Sequence, residues 1–178
     1  LIDPAVPVPD WGLSDVGQAR AALAAAASWT SGVTTIVSSA ERKAVETAAI
    51  IGAARSIDPA ARADMHENDR SATGYLEPAA FEATADAFFA QPTSSIRGWE
   101  RILDAGKRMV AATEDILAGH PGGDILLMCH GGVATLLRCA LLGVGISRAL
   151  DQPFSGHVFT VDLATRQLLT GWEPIEAA

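Results

Sequence analysis

The sequence predicts an α/β protein, a three-layer α/β/α sandwich around a mostly parallel central sheet. Three observations predict it. Strand-like and helix-like stretches alternate along the chain. Ile125–Cys129 is a continuous apolar run, the pattern of a strand buried on both faces of a parallel sheet. Polar and cationic residues follow two of the strands, at 38–43 and 130–132, where ligands of open α/β sheets gather. At 178 residues and 49% hydrophobic content the chain can bury one proper core, so residues 1–178 are read as a single domain.

Prolines at 4, 7 and 9 exclude a helix or central strand from the first ten residues and leave an extended loop. Ser14 precedes a helical stretch over about 15–28 that includes the alanine-rich tract 21–27, a strong helix former. Gly32 then leads into the β-branched run Val33–Val37. Ser38 and Glu41 have capping-box spacing, so the next helix is expected from near Ser39 to about Ala54. Residues 56–77 are irregular and polar, with His66, Glu67, Asn68, Asp69 and Arg70 in one charged cluster, and read as a loop insertion. Pro78 starts a helix reaching about Phe89. Trp99, Ile102, Leu103, Met109, Val110, Ile116 and Leu117 mark a long amphipathic helix that Pro121-Gly122-Gly123 stops. After the 125–129 strand come His130, Gly131 and Gly132, a helix over 133–142, and an expected antiparallel pair, 158–163 with 167–172.

Composition narrows the function. A net charge of −8 argues against non-specific nucleic-acid binding, which needs a basic surface. No apolar run approaches the ~20 residues of a membrane span, and no basic-then-apolar segment opens the chain. Two cysteines, Cys129 and Cys139, are too few for a disulfide framework and sit in apolar surroundings, which favours a reducing, cytoplasmic setting. The four histidines lack zinc-motif spacing, so neither a metal nor another cofactor is expected. No Gly-x-Gly-x-x-Gly or Gly-Lys-Ser/Thr loop follows a strand, which counts against a nucleotide-binding domain.

The chemistry concentrates where strands run into helix N-termini, at Ser38–Lys43 and His130–Gly132. Free amide donors and the positive end of the helix dipole suit a phosphoryl group there. Arg42 and Lys43 would ordinarily be surface charges, yet cations at a helix start are misplaced unless an anion lies nearby. Glu67, taken alone, is a solvated loop carboxylate. Gly131 permits a tight turn and a close approach of backbone to phosphate. His120 suits a helix end and His157 the tail strand. Trp11 suits either the pocket mouth or a lid over the first helix.

Asp124-Ile-Leu-Leu-Met-Cys-His130-Gly-Gly-Val133 resembles the histidine phosphatase (phosphoglycerate mutase-like) pattern of a hydrophobic strand ending in His-Gly before a helix. Trp11-Gly-Leu-Ser-Asp-Val-Gly17-Gln-Ala-Arg20 is similar to that family's Leu-Ser/Thr-x-x-Gly segment. Ser38-Ser-Ala-Glu-Arg-Lys-Ala-Val-Glu-Thr-Ala48 is similar to its Ser-Ser-Pro-Leu-x-Arg-Ala-x-x-Thr-Ala stretch. With Glu67 and Gly98-Trp99-Glu100 in the expected order, the resemblance covers nearly the whole chain. It implies phosphoryl transfer through a phosphohistidine. His130 is then the second histidine, Glu67 the general acid (His66 and Asp69 being weaker substitutes), and Lys43, Arg42 and Gly131 the phosphate-binding residues. Cationic donors at the phosphoryl oxygens supply much of the rate in such chemistry.

Two departures stand against the pattern. The family's Arg-His-Gly motif, at the end of its first strand, does not occur before Trp11, and the expectation is that a short segment preceding Leu1 carries it. Lys43 stands where the family has arginine, and lysine cannot make arginine's bidentate fork. The expected function is a phosphomonoester hydrolase acting on a small soluble phosphorylated substrate. The alternative is a catalytically weak or inactive relative that binds a phospholigand or a protein partner.

Overall fold

The structure is a computed structural model and describes residues 2–178. In chain order the elements are α1 (Asp15–Ala26), β1 (Val33–Ser39), α2 (Arg42–Arg55), β2 (Ala60–Arg62), α3 (Pro78–Ala90), α4 (Ile102–Ala118), β3 (Asp124–Met128), α5 (Gly131–Leu142), β4 (His157–Val158) and β5 (Glu173–Pro174). The strands β2, β1 and β3 lie in that order in one sheet, and both pairings are parallel. The expected class, a central parallel sheet between helical layers, is the observed one.

Strand alternation sorts the core into two halves. Ile36, Leu126 and Met128 face α1 and α2, packing with Ala24, Ala25, Ala48 and Ile51. Val37, Ile125 and Leu127 face the other side, packing with Met109 and Ile116 of α4, Val133 and Leu136 of α5, and Phe88 of α3. Neighbouring residues of β3 thus enter opposite layers, which is why its sequence is apolar without interruption. The alanines of α1 let it approach α2 closely, with Ala24 and Ala48 fully buried.

Several boundaries differ from the sequence expectation, each for a pairing reason. β1 runs on through Ser39, because Ser38 pairs with Met128 and Ser39 with Arg62. The expected capping box from Ser38 to Glu41 therefore does not form. The Ser39 hydroxyl instead accepts the Glu41 N–H at 3.2 Å, and α2 starts at Arg42. The stretch 56–77, expected to be loop throughout, contributes β2, whose Ala-Ala-Arg sequence has little strand propensity and is held by its register on Val37–Ser39. The long helix begins at Ile102. Trp99 precedes it in a turn where Arg97 and Gly98 have φ of 53° and 84°, and packs edge-on against Phe88. The tail is antiparallel as expected, but as an interrupted ribbon: β4 pairs with β5, and between them Val161 bridges Leu168. No helix among the described residues is long and apolar enough to cross a membrane.

Candidate active site

The carboxyl ends of β1 and β3 are adjacent, so the segments following them meet. β3 delivers His130, the N-cap of α5, and β1 delivers Ser39 and Glu41. His130 is only 8% exposed, and its Nε2 lies 2.8 Å from Ser39 Oγ and 3.6 Å from Glu41 Oε1. With acceptors on that side, the tautomer carrying its proton on Nε2 suits the site. Burial pushes the His130 imidazole below its ordinary pKa. The charges of Glu67 and Glu41 oppose that shift, while those of Lys43 and Arg70 add to it.

Glu41 is a buried carboxylate, 7% exposed. Its Oε2 pairs with the Lys43 ammonium and its Oε1 accepts the Glu67 N–H at 2.8 Å. Burial alone would raise its pKa, but His130, Lys43 and the Glu67 amide outweigh burial and hold it below the usual carboxylate range. Lys43 Nζ also reaches the Val8 carbonyl at 3.4 Å, tying the N-terminal loop to the site.

Glu67 arrives from the 56–77 stretch and spans the N-terminus of α5. Its Oε2 accepts from Gly132 N–H and its Oε1 from Val133 N–H, each at 3.1 Å, and Oε1 also accepts the Asn68 N–H at 3.1 Å. Gly132 is required for this approach, because a Cβ there would stand 2.6 Å from Glu67 Oε1. Arg108 of α4 fixes the loop from behind. It donates to the carbonyls of Asp64 and His66 at 2.9 Å and forms an ion pair with Glu100 at 2.7 Å.

Of the residues expected from sequence, His130, Glu67, Lys43 and Gly131 come together here. Arg42 does not, since its side chain is 64% exposed and engages Glu46 at 2.7 Å one turn along α2. His66 keeps its Nδ1 against the Glu67 carbonyl, and Asp69 accepts the Ser71 N–H at 2.8 Å. His120 and His157 bond to the Gly123 and Phe154 carbonyls, in keeping with structural roles. Trp11 folds onto its own loop, donating to the carbonyls of Asp3 and Val6, with its ring 6.1 Å from that of Tyr75. Cys139 is buried, and burial pushes the Cys129 thiol up to about 12. No group of three or more metal-ligating side chains forms among the described residues.

Sequence reasoning missed Ser39, Glu41, Arg70 and Arg108 as parts of the site. Arg70 lies over the rings of Phe81 and Trp99, 5.1 and 5.8 Å from their centroids. It lines a cavity of about 330 Å³ with Glu67, Asn68, Gly131 and Gly132. Asn68 is buried in the same wall, and its Nδ2 has no hydrogen-bond partner among the described residues.

The depressed pKa of His130 has a consequence for stability. Below its ordinary value of 6.5 the unfolded chain binds a proton that the folded protein resists. This contribution is therefore complete above about pH 6.5 and is lost as pH falls through that value toward the lower folded pKa. Thermal melts from pH 7.5 down to 5 should show a steeper decline in Tm for the native protein than for His130→Asn. Parallel declines would show that His130 protonates as easily folded as unfolded.

The site thus lies at the carboxyl edge of a parallel sheet, with a buried histidine at a helix N-terminus, a lysine on one side and a glutamate across from it. The chain belongs to the histidine phosphatase superfamily (branch 1), whose family model matches residues 5–164. Comparison with curated proteins gives no match. Among solved structures, the chain is similar to mycobacterial glucosyl-3-phosphoglycerate phosphatase in complex with inorganic phosphate, with a TM-score of 0.79, 22% identity, and 99% of this chain and 94% of that one covered. It is also similar to Entamoeba histolytica phosphoserine phosphatase in complex with 3-phosphoglyceric acid (TM-score 0.76, 15% identity, 96% and 88% covered). A third is YhfR of Bacillus stearothermophilus (TM-score 0.72, 20% identity, 92% and 85% covered). At these identities the likeness establishes the shared fold.

Proposed function

We propose that the protein is a phosphomonoester hydrolase that works through a phosphohistidine intermediate on a small phosphorylated substrate. The observation that carries this reading is His130, buried at the N-terminus of α5 with its Nε2 toward Ser39 and Glu41, Lys43 beside it and Glu67 across the same helix end. In the first step the phosphorus–oxygen bond of the ester breaks as a phosphorus–nitrogen bond forms to an acceptor imidazole, and Glu67 delivers a proton to the departing oxygen. Water then attacks the phosphohistidine, its proton returns to Glu67, and inorganic phosphate leaves. His130 and Lys43 donate to the phosphoryl oxygens throughout, where the charge spreads.

The acceptor imidazole is proposed to lie on a segment preceding Leu1. His130 has the binding role, His120 lies before the amino end of β3, at the other end of that strand from His130, and His66 and His157 each hold Nδ1 against a carbonyl. β3 ends the three-stranded sheet and presents backbone donors and acceptors on which a further strand can pair, bringing its end beside His130. The cavity wall of Arg70 and Asn68 suits a small polar substrate, as do the relatives named for phosphoglycerate and phosphoserine compounds. The unpaired cysteines fit action in the reducing cytoplasm.

One observation favours a second reading, a weak or inactive relative that binds a phospholigand or a protein partner. Lys43, standing where the family has arginine, is already neutralised by Glu41. The native-length protein, quenched after brief incubation with a reactive phosphodonor, separates the two. An acid-labile, base-stable adduct on a histidine upstream of Leu1 supports the hydrolase. Absence of any adduct across several donors, with phosphate still shielding His130 from chemical modification, supports the binder.

A further inference from the structure

We propose that Glu41 makes this site selective for a phosphoryl group that carries a proton, so that it takes phosphate and excludes sulfate. The proposal rests on the reading of His130 and Lys43 as phosphate ligands. The Ser-Ser-Pro-Leu-x-Arg pattern has leucine where Glu41 stands, so the carboxylate is a feature of this chain. It is also not a surface charge that happens to lie near the site: it is buried, and it touches Lys43, the backbone of Glu67 and the edge of His130.

An ionised carboxylate only accepts hydrogen bonds, at about four lone-pair positions. The Lys43 ammonium and the Glu67 N–H take two of them, and the free side of Oε1 faces His130 Nε2 at 3.6 Å, beyond direct hydrogen-bond length. A ligand that takes donors from both Lys43 and His130 therefore rests against an acceptor. If every ligand oxygen is a bare anion, two sets of lone pairs oppose each other in a water-poor site, which is costly. A P–OH group removes the conflict by donating to Glu41 while its other oxygens accept from Lys43 and His130. The hold of His130 and Lys43 on Glu41, which keeps its carboxyl ionised, leaves the proton to come from the ligand.

Inorganic phosphate near neutral pH always carries at least one proton, whereas sulfate carries none and has the same tetrahedral shape. A phosphomonoester binds by the same rule as its monoanion. Glu41 in this role is a specificity residue. A glutamine at the position can turn its amide to donate and so removes the distinction.

The experiment is calorimetric titration of the native-length protein and its Glu41→Gln variant with inorganic phosphate and, separately, with sulfate at constant ionic strength and pH 7.5. Wild-type protein is expected to bind phosphate about 100-fold or more tightly than sulfate, and the variant is expected to bring the two within about 5-fold, mainly by gaining sulfate affinity. A merely structural Glu41 would weaken both anions together and leave their ratio unchanged, which overturns the proposal. Equal binding of the two anions by wild-type protein overturns it without any variant, even if Glu41→Gln fails to fold. Binding of neither anion by wild-type protein overturns the phosphate-site reading itself, and the proposal with it.

Discussion

His130→Ala is expected to lower kcat/KM for a generic phosphomonoester by about 100- to 1,000-fold, the usual cost of removing one preorganised donor from charge that develops in the transition state. The donor is hard to replace. Ser39 Oγ lies 2.8 Å from the same ring nitrogen and keeps its own proton while accepting the Glu41 N–H, but as a donor it would stand set back from the place of the ring by that distance. Without the ring the pocket keeps Lys43, neutralised by Glu41, and Arg70 in the cavity wall. The fold should survive, because the imidazole packs at the rim of the sheet rather than among the apolar residues of either core half. Steady-state kinetics beside a thermal melt test both parts. Unchanged kcat/KM would remove His130 from the site. His130→Asn, closer in size and still a donor, should retain more activity than alanine.

Trp99→Ala should cost about 3–5 kcal/mol of folding stability, the range for deleting a large buried aromatic side chain. Trp99 is 2% exposed and sits at the junction of three segments. Its ring meets Phe88 edge-on at 5.7 Å and Phe81 at 6.0 Å, and its Nε1 donates to Thr73 Oγ1 at 2.9 Å. Truncation leaves a cavity against Phe81 and Phe88 of α3 and removes the donor to the Thr73 hydroxyl, which then keeps only its bonds to the Arg70 and Gly74 carbonyls on the loop that carries Glu67 and Arg70. It also removes one of the two ring faces that hold the Arg70 guanidinium. Urea denaturation followed by circular dichroism measures the loss, and a change under about 1 kcal/mol would show that the loop collapses to fill the space. Trp99→Phe, which keeps most of the apolar volume, should cost about 1 kcal/mol, the worth of one hydrogen bond.

Some of the site was legible in the sequence because its signals are local. A continuous apolar run followed by His-Gly-Gly places His130 at a strand end and a helix start, and neither fact needs knowledge of the rest of the chain. Lys43 was legible through the resemblance of the Ser38–Ala48 stretch to the family pattern, aligned on Ala44 and Thr47. Glu67 was visible as a charged residue in an irregular stretch, but its contact with the amides of Gly132 and Val133 joins positions 65 and 66 residues apart. Arg108 looks like one of many charges on an amphipathic helix. Only its placement beneath the carbonyls of Asp64 and His66 gives it a positioning role.

The contrast is sharpest over three consecutive residues. The sequence alone determined the layered α/β class, the alternation of its elements and the meeting of two polar strand ends. Those follow from hydrophobic period, chain propensity and turn residues, which act between near neighbours. The tertiary structure alone decided that Glu41 turns inward to Lys43 and His130 while Arg42 turns outward to Glu46. A shift of α2's first residue from near 39 to 42 changes which side chain faces the pocket, since each helical residue turns the face by about 100°. That start is fixed by the pairing of Ser38 and Ser39 with β3 and β2, strands that the chain reaches only much later and that no local pattern at 38–43 encodes.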